Sequence, residues 1–286
     1  MLRVALVQLN GTRDVETNLR RCDELARRAA EIETDWLLLP ENAPFLGRDH
    51  EKVEVAEPLD GPIVDHFREL ADSLDTWVTV GSFPEATDEP DRTYNTLVHL
   101  APDGELRQTY RKLHLFDVDV EGGRSFRESN HVRSGEAIRT ATVTERDGRE
   151  WRIGLSICYD LRFPALYRAL AEREVDATVV PSAFTRQTGR DHWHPLLRAR
   201  AIENQYWLLA PNQWGHHFGD RASYGHSSVY DPWGHRVASA PDGEGVIHAE
   251  LDRERVEDVR RRMPCLGHVR VRDGEVLDGP SRDEGD

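Results

Sequence analysis

Cys158 is the residue best placed for covalent chemistry, because it ends the apolar run 153–158 and precedes Tyr-Asp-Leu-Arg-Phe-Pro. This pattern predicts a strand that turns sharply into a helix, with the thiol near backbone N–H groups and the positive end of a helix dipole. Both surroundings favour the thiolate, and the N–H groups could hold an oxyanion. The alternative is a buried structural cysteine, which is also the expectation for Cys22 and Cys265.

A cysteine nucleophile needs a base, and Glu41 is the strongest candidate. It follows the apolar run 36–39 and a proline, at the carboxyl end of a predicted buried strand. Partial desolvation there is expected to raise the pKa of the carboxyl toward a value useful for proton transfer. The alternative is a strand-end glutamate that faces solvent. None of the 13 histidines lies in a sequence context typical of cysteine proteases.

Lysine is nearly absent from the chain, which draws attention to its two positions. Of the 37 basic residues only Lys52 and Lys112 are lysine. Lysine is a compact ammonium that fits a tight site, whereas arginine carries its charge on a broad plane. Lys112 has Arg111 beside it, so a need for charge alone does not explain it, and we expect a chemical role. Lys52 follows a polar run, where we expect a solvated surface lysine.

The composition disfavours several classes of partner. The net charge is −15, from 52 acidic and 37 basic residues, so neither nucleic acid nor an anionic membrane is expected to bind. A lysine-poor acidic surface is typical of proteins from salt-loaded cytoplasm. The chain has no apolar run of transmembrane length, no basic–apolar leader and only three dispersed cysteines. We therefore expect a soluble, cytoplasmic protein.

Strand-like and helix-like segments alternate along the chain. The predicted strands cover residues 3–9, 36–39, 77–82, 92–100, 106–113, 153–158, 177–181, 207–210, 226–231, 236–238 and 246–251. The predicted helices cover residues 15–32, 63–74, 163–172, 194–205 and 253–262. No composition break divides them, which predicts one domain, 1–270, of two packed sheets with helices outside. Residues 271–286 are expected to form a loose acidic tail.

The segments around Glu41, Lys112 and Cys158 resemble the nitrilase superfamily of carbon–nitrogen hydrolases, in its amidase branch. The matching segments follow the family's order between residues 2 and 265, at 39–42, 110–117, 157–164, 181–184, 198–204, 224–227 and 231–234. The resemblance implies an α-β-β-α sandwich of two mixed β-sheets flanked by helices. It also implies a Glu–Lys–Cys triad, a homodimer or higher homo-oligomer, and no metal or organic cofactor.

The family uses a second glutamate between the lysine and the cysteine, and two positions compete for it. Glu128, in Phe-Arg-Glu-Ser, lies in a pattern similar to the amidase branch. Glu121 lies where that branch commonly has proline. We choose Glu128, which the resemblance implies would orient Lys112 or the substrate amide.

The implied reaction is hydrolysis of a linear amide in a small carboxylate-bearing substrate, through a Cys158 thioester and with release of ammonia. Glu41 would take the thiol proton, while Lys112 and the backbone N–H of Tyr159 would stabilise the oxyanion. The likeness is greatest to amidases of deaminated glutathione and next to ω-amidases acting on α-keto-acid amides. The alternatives are a nitrilase or N-carbamoyl amino acid hydrolase with the same triad, or a non-catalytic regulator.

Four residues are expected to bind the substrate: Tyr159, Arg162, Ser182 and Phe184. Arg162 could hold a carboxylate by two parallel hydrogen bonds, and the alternative is a structural ion pair with Asp160 or another acid. Two histidine pairs could suggest a zinc site, but neither is completed by a cysteine or carboxylate at a known spacing, so no metal is expected. These pairs are His192 with His194, and His216 with His217.

Overall fold

The alternation of strands and helices continues through the structure, a computed structural model that describes residues 1–120, 124–272 and 274–277. The strands are β1 (Leu2–Gln8), β2 (Trp36–Leu38), β3 (Trp77–Ala86), β4 (Thr93–Leu100), β5 (Leu106–Arg111), β6 (Asp117–Val120), β7 (Arg124–Arg127), β8 (Val132–Arg133), β9 (Thr140–Thr144), β10 (Glu150–Leu155), β11 (Ala177–Val179), β12 (Trp207–Ala210), β13 (Trp214–Phe218), β14 (Arg221–Tyr224), β15 (Ser228–Tyr230), β16 (Arg236–Ser239), β17 (Gly245–Leu251), β18 (Val271–Arg272) and β19 (Glu275–Val276). The α-helices are α1 (Val15–Ala30), α2 (Asp49–Glu54), α3 (Pro62–Leu74), α4 (Pro164–Ala171), α5 (Arg186–Asn204) and α6 (Arg253–Arg262).

Two mixed β-sheets form the centre of the fold. The first has the strand order β17-β1-β2-β3-β4-β5, with β8 also paired to β4. Its three central strands, β1 to β3, run parallel, and its outer neighbours run antiparallel. The second sheet has the order β16-β15-β12-β11-β10-β9, again with three parallel strands in the middle. Helices lie in the connections between the parallel strands, as expected because parallel strands need a long crossover.

Alternate residues of β1 pack on opposite faces of the first sheet, and this explains how the layers stack. Leu2, Val4 and Leu6 pack in a cluster that also contains residues of the second sheet. The intervening residues of the same strand pack in a different cluster, together with apolar side chains of α1 and α3. Successive side chains of a strand point to opposite faces, so one face of the first sheet contacts the second sheet and the other contacts helices. The predicted α-β-β-α sandwich is confirmed.

The helix boundaries differ from the sequence prediction at two places. Helix α5 begins at Arg186, eight residues before the predicted start, and Pro195 lies inside it. Trp193, fully buried and donating from Nε1 to the His226 carbonyl at 2.9 Å, holds the segment before the proline against the second sheet. Helix α2 was not predicted at all, and it carries Lys52. Tertiary packing outweighs local propensity in both segments.

The last residues that the structure describes form a small two-stranded sheet. Strands β18 and β19 pair within the predicted tail, and residues 273 and 278–286 lie outside the described residues, so the looseness of the tail stays a prediction. None of the helices in the described ranges combines the length and apolar character that a membrane crossing requires.

His99 on β4 is expected to make the stability of the fold depend on pH. It is fully buried, and its ring lies against Trp77 with centroids 5.1 Å apart. Its Nε2 lies against the Thr142 carbonyl, which only accepts, so Nε2 carries the hydrogen and Nδ1 of the neutral ring accepts from the Thr79 hydroxyl at 2.8 Å. The Thr79 oxygen in turn accepts from Trp36 Nε1. Burial lowers the pKa of His99 from 6.5 to about 4.

Between these two pH values the unfolded chain takes up a proton at this position that the folded protein does not. Stability is therefore complete above pH 6.5 and falls as the pH is lowered toward 4, by at most about 3 kcal/mol. Urea unfolding at several pH values should show a smaller loss for His99→Gln than for wild type over this range. His50→Gln, at an exposed position, should keep the wild-type slope. Equal slopes for all three proteins would contradict the prediction.

Candidate active site

Cys158 lies on a strained turn that follows the second sheet's strand β10. Its backbone is in the left-handed region, with φ 44°, which is costly for a residue other than glycine. The turn is held by Asp160, whose carboxylate accepts from the Ile157 N–H at 2.9 Å and from the Tyr110 hydroxyl at 2.7 Å. The predicted sharp turn is therefore present, but it leads into a short 3-10 helix, Cys158–Arg162, before α4 begins.

Glu41 follows β2 of the first sheet and is buried. Its Oε1 accepts from Lys112 Nζ and from Asn95 Nδ2, each at 3.0 Å, and its Oε2 accepts from the Ala183 N–H at 2.8 Å. The Cys158 thiol lines the same cavity, and each of the two groups shifts the pKa of the other. The chain before Glu41 approaches β3 so closely that a Cβ on Gly81 would lie 2.3 Å from the Leu39 carbonyl oxygen. Only glycine fits at this contact.

Lys112 and Glu128 meet beside Glu41. Lys112 follows β5, is 2% exposed, and is bonded through Nζ to Glu41 Oε1 and to both carboxylate oxygens of Glu128, at 3.0 to 3.2 Å. Glu128 begins a 3-10 turn and also accepts from the Phe116 N–H at 2.7 Å. The structure therefore brings Glu128 to the lysine, whereas the competing Glu121 lies outside the described residues.

The ionisation of the site differs from the sequence prediction for two of its groups. Burial raises the pKa of the Cys158 thiol, the negative charge of Glu41 raises it further, and the ammonium of Lys112 opposes them less strongly. Burial also raises the pKa of Glu41, but the charge and hydrogen bond of Lys112 outweigh it, so the net shift is downward. The resting site thus holds a neutral thiol beside a carboxylate. The expected thiolate was wrong, because burial and the charge of Glu41 both favour the neutral thiol. The expected upward shift of the Glu41 pKa was wrong, because it was derived without the ammonium of Lys112.

Asn95 is a site residue that sequence analysis missed. It is buried on β4, and its Nδ2 donates to Glu41 Oε1 at 3.0 Å and to Glu128 Oε1 at 3.3 Å. Its backbone carbonyl accepts from the Lys112 N–H. Asn95 therefore fixes the distance between the two glutamates. Asparagine is uncommon inside strands, and its place within the predicted strand 92–100 was the signal that could have identified it.

Lys52 contradicts the expectation of a solvated surface lysine. It is 6% exposed, and its Nζ lies 3.0 Å from the Asp49 carboxylate in the same short helix. It lines the cavity that contains Glu41, Lys112 and Cys158. Because α2 was not predicted, no pattern in the sequence indicated that this side chain turns inward.

Three of the four expected substrate-binding residues lie on the cavity wall, and one does not. Tyr159, Arg162 and Phe184 line the cavity. Ser182 does not, because its buried hydroxyl donates to the Val180 carbonyl at 3.0 Å. Arg162 forms no ion pair with Asp160 or with another carboxylate in the described part of the chain. Its guanidinium lies 3.3 Å from His192 Nδ1 and 5.3 Å from the Phe184 ring centroid.

The cavity has a volume of about 430 Å³, enough for a small organic molecule. Cys158, Lys112, Glu41 and Glu128 lie on one part of its wall, and aromatic rings and charged side chains form the rest. Within residues 1–120, 124–272 and 274–277, no group of three or more His, Cys, Asp or Glu side chains is arranged to hold a metal ion. The chemistry of the cavity is that of a thiol, a carboxylate and an ammonium in contact.

This site and fold recur in proteins of known family. The family model described as carbon-nitrogen hydrolase matches residues 3–261. The chain belongs to the carbon–nitrogen hydrolase family. Deaminated glutathione amidase of Bos taurus is 39% identical over 93% of this chain and 81% of its own length. The protein of that name from Synechocystis sp. is 38% identical, over 92% of this chain and 96% of its own.

A solved structure supports the same assignment. Nit3 of Saccharomyces cerevisiae, described as a member of branch 10 of the nitrilase superfamily, has a TM-score of 0.80 and 33% identity. The match covers 92% of this chain and 94% of that chain. The predicted membership of the nitrilase superfamily, and of an amidase-type hydrolase within it, is confirmed.

Glu128→Gln is expected to lower kcat about 10- to 100-fold, because the variant loses a charged hydrogen-bond partner of Lys112 and leaves that ammonium less firmly held. Steady-state amine release measures the effect, and circular dichroism checks the fold. Glu121→Gln should have a smaller effect. A larger loss in Glu121→Gln would mean that Glu121, and not Glu128, is the second glutamate.

Proposed function

We propose that the protein hydrolyses the amide C–N bond of a small carboxylate-bearing substrate through a thioester on Cys158. The observation that carries this proposal is that Cys158, Glu41 and Lys112 share the wall of one cavity, with Lys112 Nζ 3.0 Å from Glu41 Oε1. These three groups supply a nucleophile, a base and a cation for the developing negative charge.

In the first step, Sγ of Cys158 attacks the amide carbonyl carbon while Glu41 removes the thiol proton. Oε1 of Glu41 already accepts from two donors, whereas Oε2 accepts from the Ala183 N–H and has a lone pair left. Oε2 is therefore the oxygen that takes the proton. Because the pKa of the thiol is raised and that of Glu41 is lowered, the transfer accompanies formation of the S–C bond and does not precede it.

The carbonyl oxygen becomes an oxyanion, and two donors are available for it. Proton transfer neutralises Glu41, which weakens its hold on Lys112 and lets one N–H of the ammonium turn to the oxyanion. The second donor is the backbone N–H of Tyr159, which has no acceptor in the part of the chain that the structure describes. Glu128 keeps its two contacts with Lys112 throughout this change.

Glu41 then returns its proton to the leaving amine as the C–N bond breaks, which produces the Cys158 thioester. In the second half-reaction water attacks the thioester carbon while Glu41 takes a proton from that water. Glu41 then returns this proton to Sγ as the C–S bond breaks, which regenerates the thiol and releases the carboxylic acid product. The same carboxyl group therefore acts as base and acid in each half-reaction. The reaction consumes one water and releases one amine.

The substrate class follows from the cavity's charges and from the relatives. Arg162 lines the cavity without a carboxylate partner among the described residues, which supports binding of a substrate carboxylate. Relatives at 38% and 39% identity are deaminated glutathione amidases. We propose deaminated glutathione or a related α-keto-acid amide as the substrate.

The test is a panel of substrates with one active-site variant. Wild-type protein should release amine from deaminated glutathione and from α-ketoglutaramate, and iodoacetamide should label one cavity thiol and abolish the activity. Cys158→Ala should lose both the labelling and the activity, while the exposed Cys265→Ala should lose neither the activity nor its inactivation by iodoacetamide. Mass spectrometry of quenched turnover should show an acyl adduct on Cys158.

Two results would overturn the proposal. Turnover of a nitrile or an N-carbamoyl amino acid in preference to every amide would leave the triad in place but change the reaction. No turnover of any of the three classes by folded protein, at low and at high salt, would remove the enzymatic proposal itself.

A further inference from the structure

Both lysines of this arginine-rich chain lie on the wall of the same cavity. Lys112 belongs to the triad, and the proposed reaction gives Lys52 no task. Lys52 nevertheless shares the features that mark a specialised lysine, because it is buried and faces the reacting groups. A compact ammonium in a tight site is a reason to keep lysine where the chain otherwise uses arginine.

The two ammonium groups differ in how many of their N–H donors the protein satisfies. An ammonium has three donors. Lys112 has three contacts with carboxylate oxygens, two on Glu128 and one on Glu41. Lys52 has one acceptor in the described ranges, Asp49 Oδ1 at 3.0 Å. Two donors of a 6% exposed ammonium are thus left for an occupant of the cavity.

The free donors of Lys52 favour an occupant with acceptor oxygens. Three carboxylates act on Lys52 electrostatically, those of Asp49, Glu128 and Glu41. Asp49 is its ion-pair partner, whereas Glu41 and Glu128 are hydrogen-bonded to Lys112. Buried N–H donors without acceptors are costly, and the oxygens of a substrate carboxylate that accept them remove that cost.

We propose that Lys52 binds a carboxylate on the acyl part of the substrate and so makes the site selective for anionic amides. The inference rests on the proposed function and adds the residue that recognises the acyl part of the substrate. The acyl part stays on Cys158 through both half-reactions, so a cation that holds it acts on formation and on hydrolysis of the thioester. Arg162, on another part of the wall, remains free to contact a second charged group.

The experiment compares an anionic and an uncharged amide with the same number of carbon atoms. In α-ketoglutaramate the only carboxylate lies on the acyl part, and pentanamide has none. Lys52→Met should lower kcat/KM for α-ketoglutaramate about 10- to 100-fold and change that for pentanamide less than about 3-fold. Arg20→Gln, which removes the same charge at an exposed position of α1, should change neither.

Two other roles for Lys52 predict different results. If Lys52 acted only by lowering the pKa of Glu41, Lys52→Met would affect both amides equally and would shift the acid limb of the pH–rate profile for both. If Lys52 were only the structural partner of Asp49, Asp49→Asn would reproduce the loss. We expect instead that Asp49→Asn strengthens binding of the anionic amide, because it removes a competing negative charge. Either of the other results overturns the inference.

A binding measurement separates this inference from the proposed function, because it needs no turnover. Isothermal titration of α-ketoglutaramate into Cys158→Ala should give at least about 10-fold tighter binding than into Cys158→Ala with Lys52→Met. Equal affinities, with both proteins folded by circular dichroism, would overturn the role of Lys52. If wild-type protein turned over no amide, the proposed reaction would be overturned. The titration would still decide whether Lys52 binds the carboxylate.

Discussion

Lys112→Arg is expected to fold and to lose at least about 1000-fold in kcat on an amide substrate. The ammonium of Lys112 is buried between Glu41 and Glu128, with all its contacts at 3.0 to 3.2 Å. A guanidinium keeps the charge, but it is broader and planar, and it would either displace the glutamates or extend past the point where the oxyanion forms. The substitution therefore tests geometry at constant charge.

Arg111→Lys is the matched control, since it makes the reverse change at the adjacent residue. Arg111 is bonded through its guanidinium to Glu85 on the outside of the first sheet and does not line the cavity. Its kcat should stay within about 3-fold of wild type. Thermal unfolding of both variants gives the check on folding. Near wild-type turnover by Lys112→Arg would refute the oxyanion role.

Glu41→Gln is expected to separate hydrolysis from thiol alkylation. Hydrolysis should fall about 1000-fold or more, because the base and the acid of the proposed cycle are lost together while the side-chain shape is kept. The pKa of the Cys158 thiol should fall in the variant, since the negative charge of Glu41 raises it in wild type and the ammonium of Lys112 remains. The pH midpoint for iodoacetamide labelling of Cys158 should therefore move to lower pH.

The two readouts are to be measured on the same preparations, as steady-state amine release and as labelling rate against pH. Glu57→Gln makes the same change at another glutamate outside the cavity and should behave as wild type in both assays. Retained hydrolysis in Glu41→Gln would exclude Glu41 as the base. A labelling midpoint at higher pH would contradict the electrostatic account of the thiol.

The strands that carry the site could be predicted, because their signal is local. Apolar runs identified β2 and β10, and a strand–turn–strand pattern identified β5, each within a few residues of its observed ends. The triad could be named because its members follow such strands and because the segments around them are similar to one family. The short strands β6, β7, β13 and β14 were missed, since four or five residues of mixed polarity carry little periodic signal.

The residues that support the triad could not be predicted, because their roles depend on contacts between distant parts of the chain. Asn95 became a site residue by meeting Glu41 and Glu128, which are 54 and 33 residues away. Ser182 was expected in the cavity because of its neighbours in sequence, but its side chain turns to Val180. Sequence adjacency to a site residue does not decide the direction of a side chain.

The sequence by itself determined the family and the sandwich fold and predicted Glu41, Lys112 and Cys158 as the reacting groups, since local patterns and their order carry this information. Only the tertiary structure decided how these groups ionise and what surrounds them. The direction of the pKa shift of Glu41 depends on a lysine 71 residues away, at 3.0 Å in space. The same holds for Lys52, a polar residue in a polar run that the fold buries beside the triad. Electrostatic energies depend on distance and burial, and neither is fixed before the chain has folded.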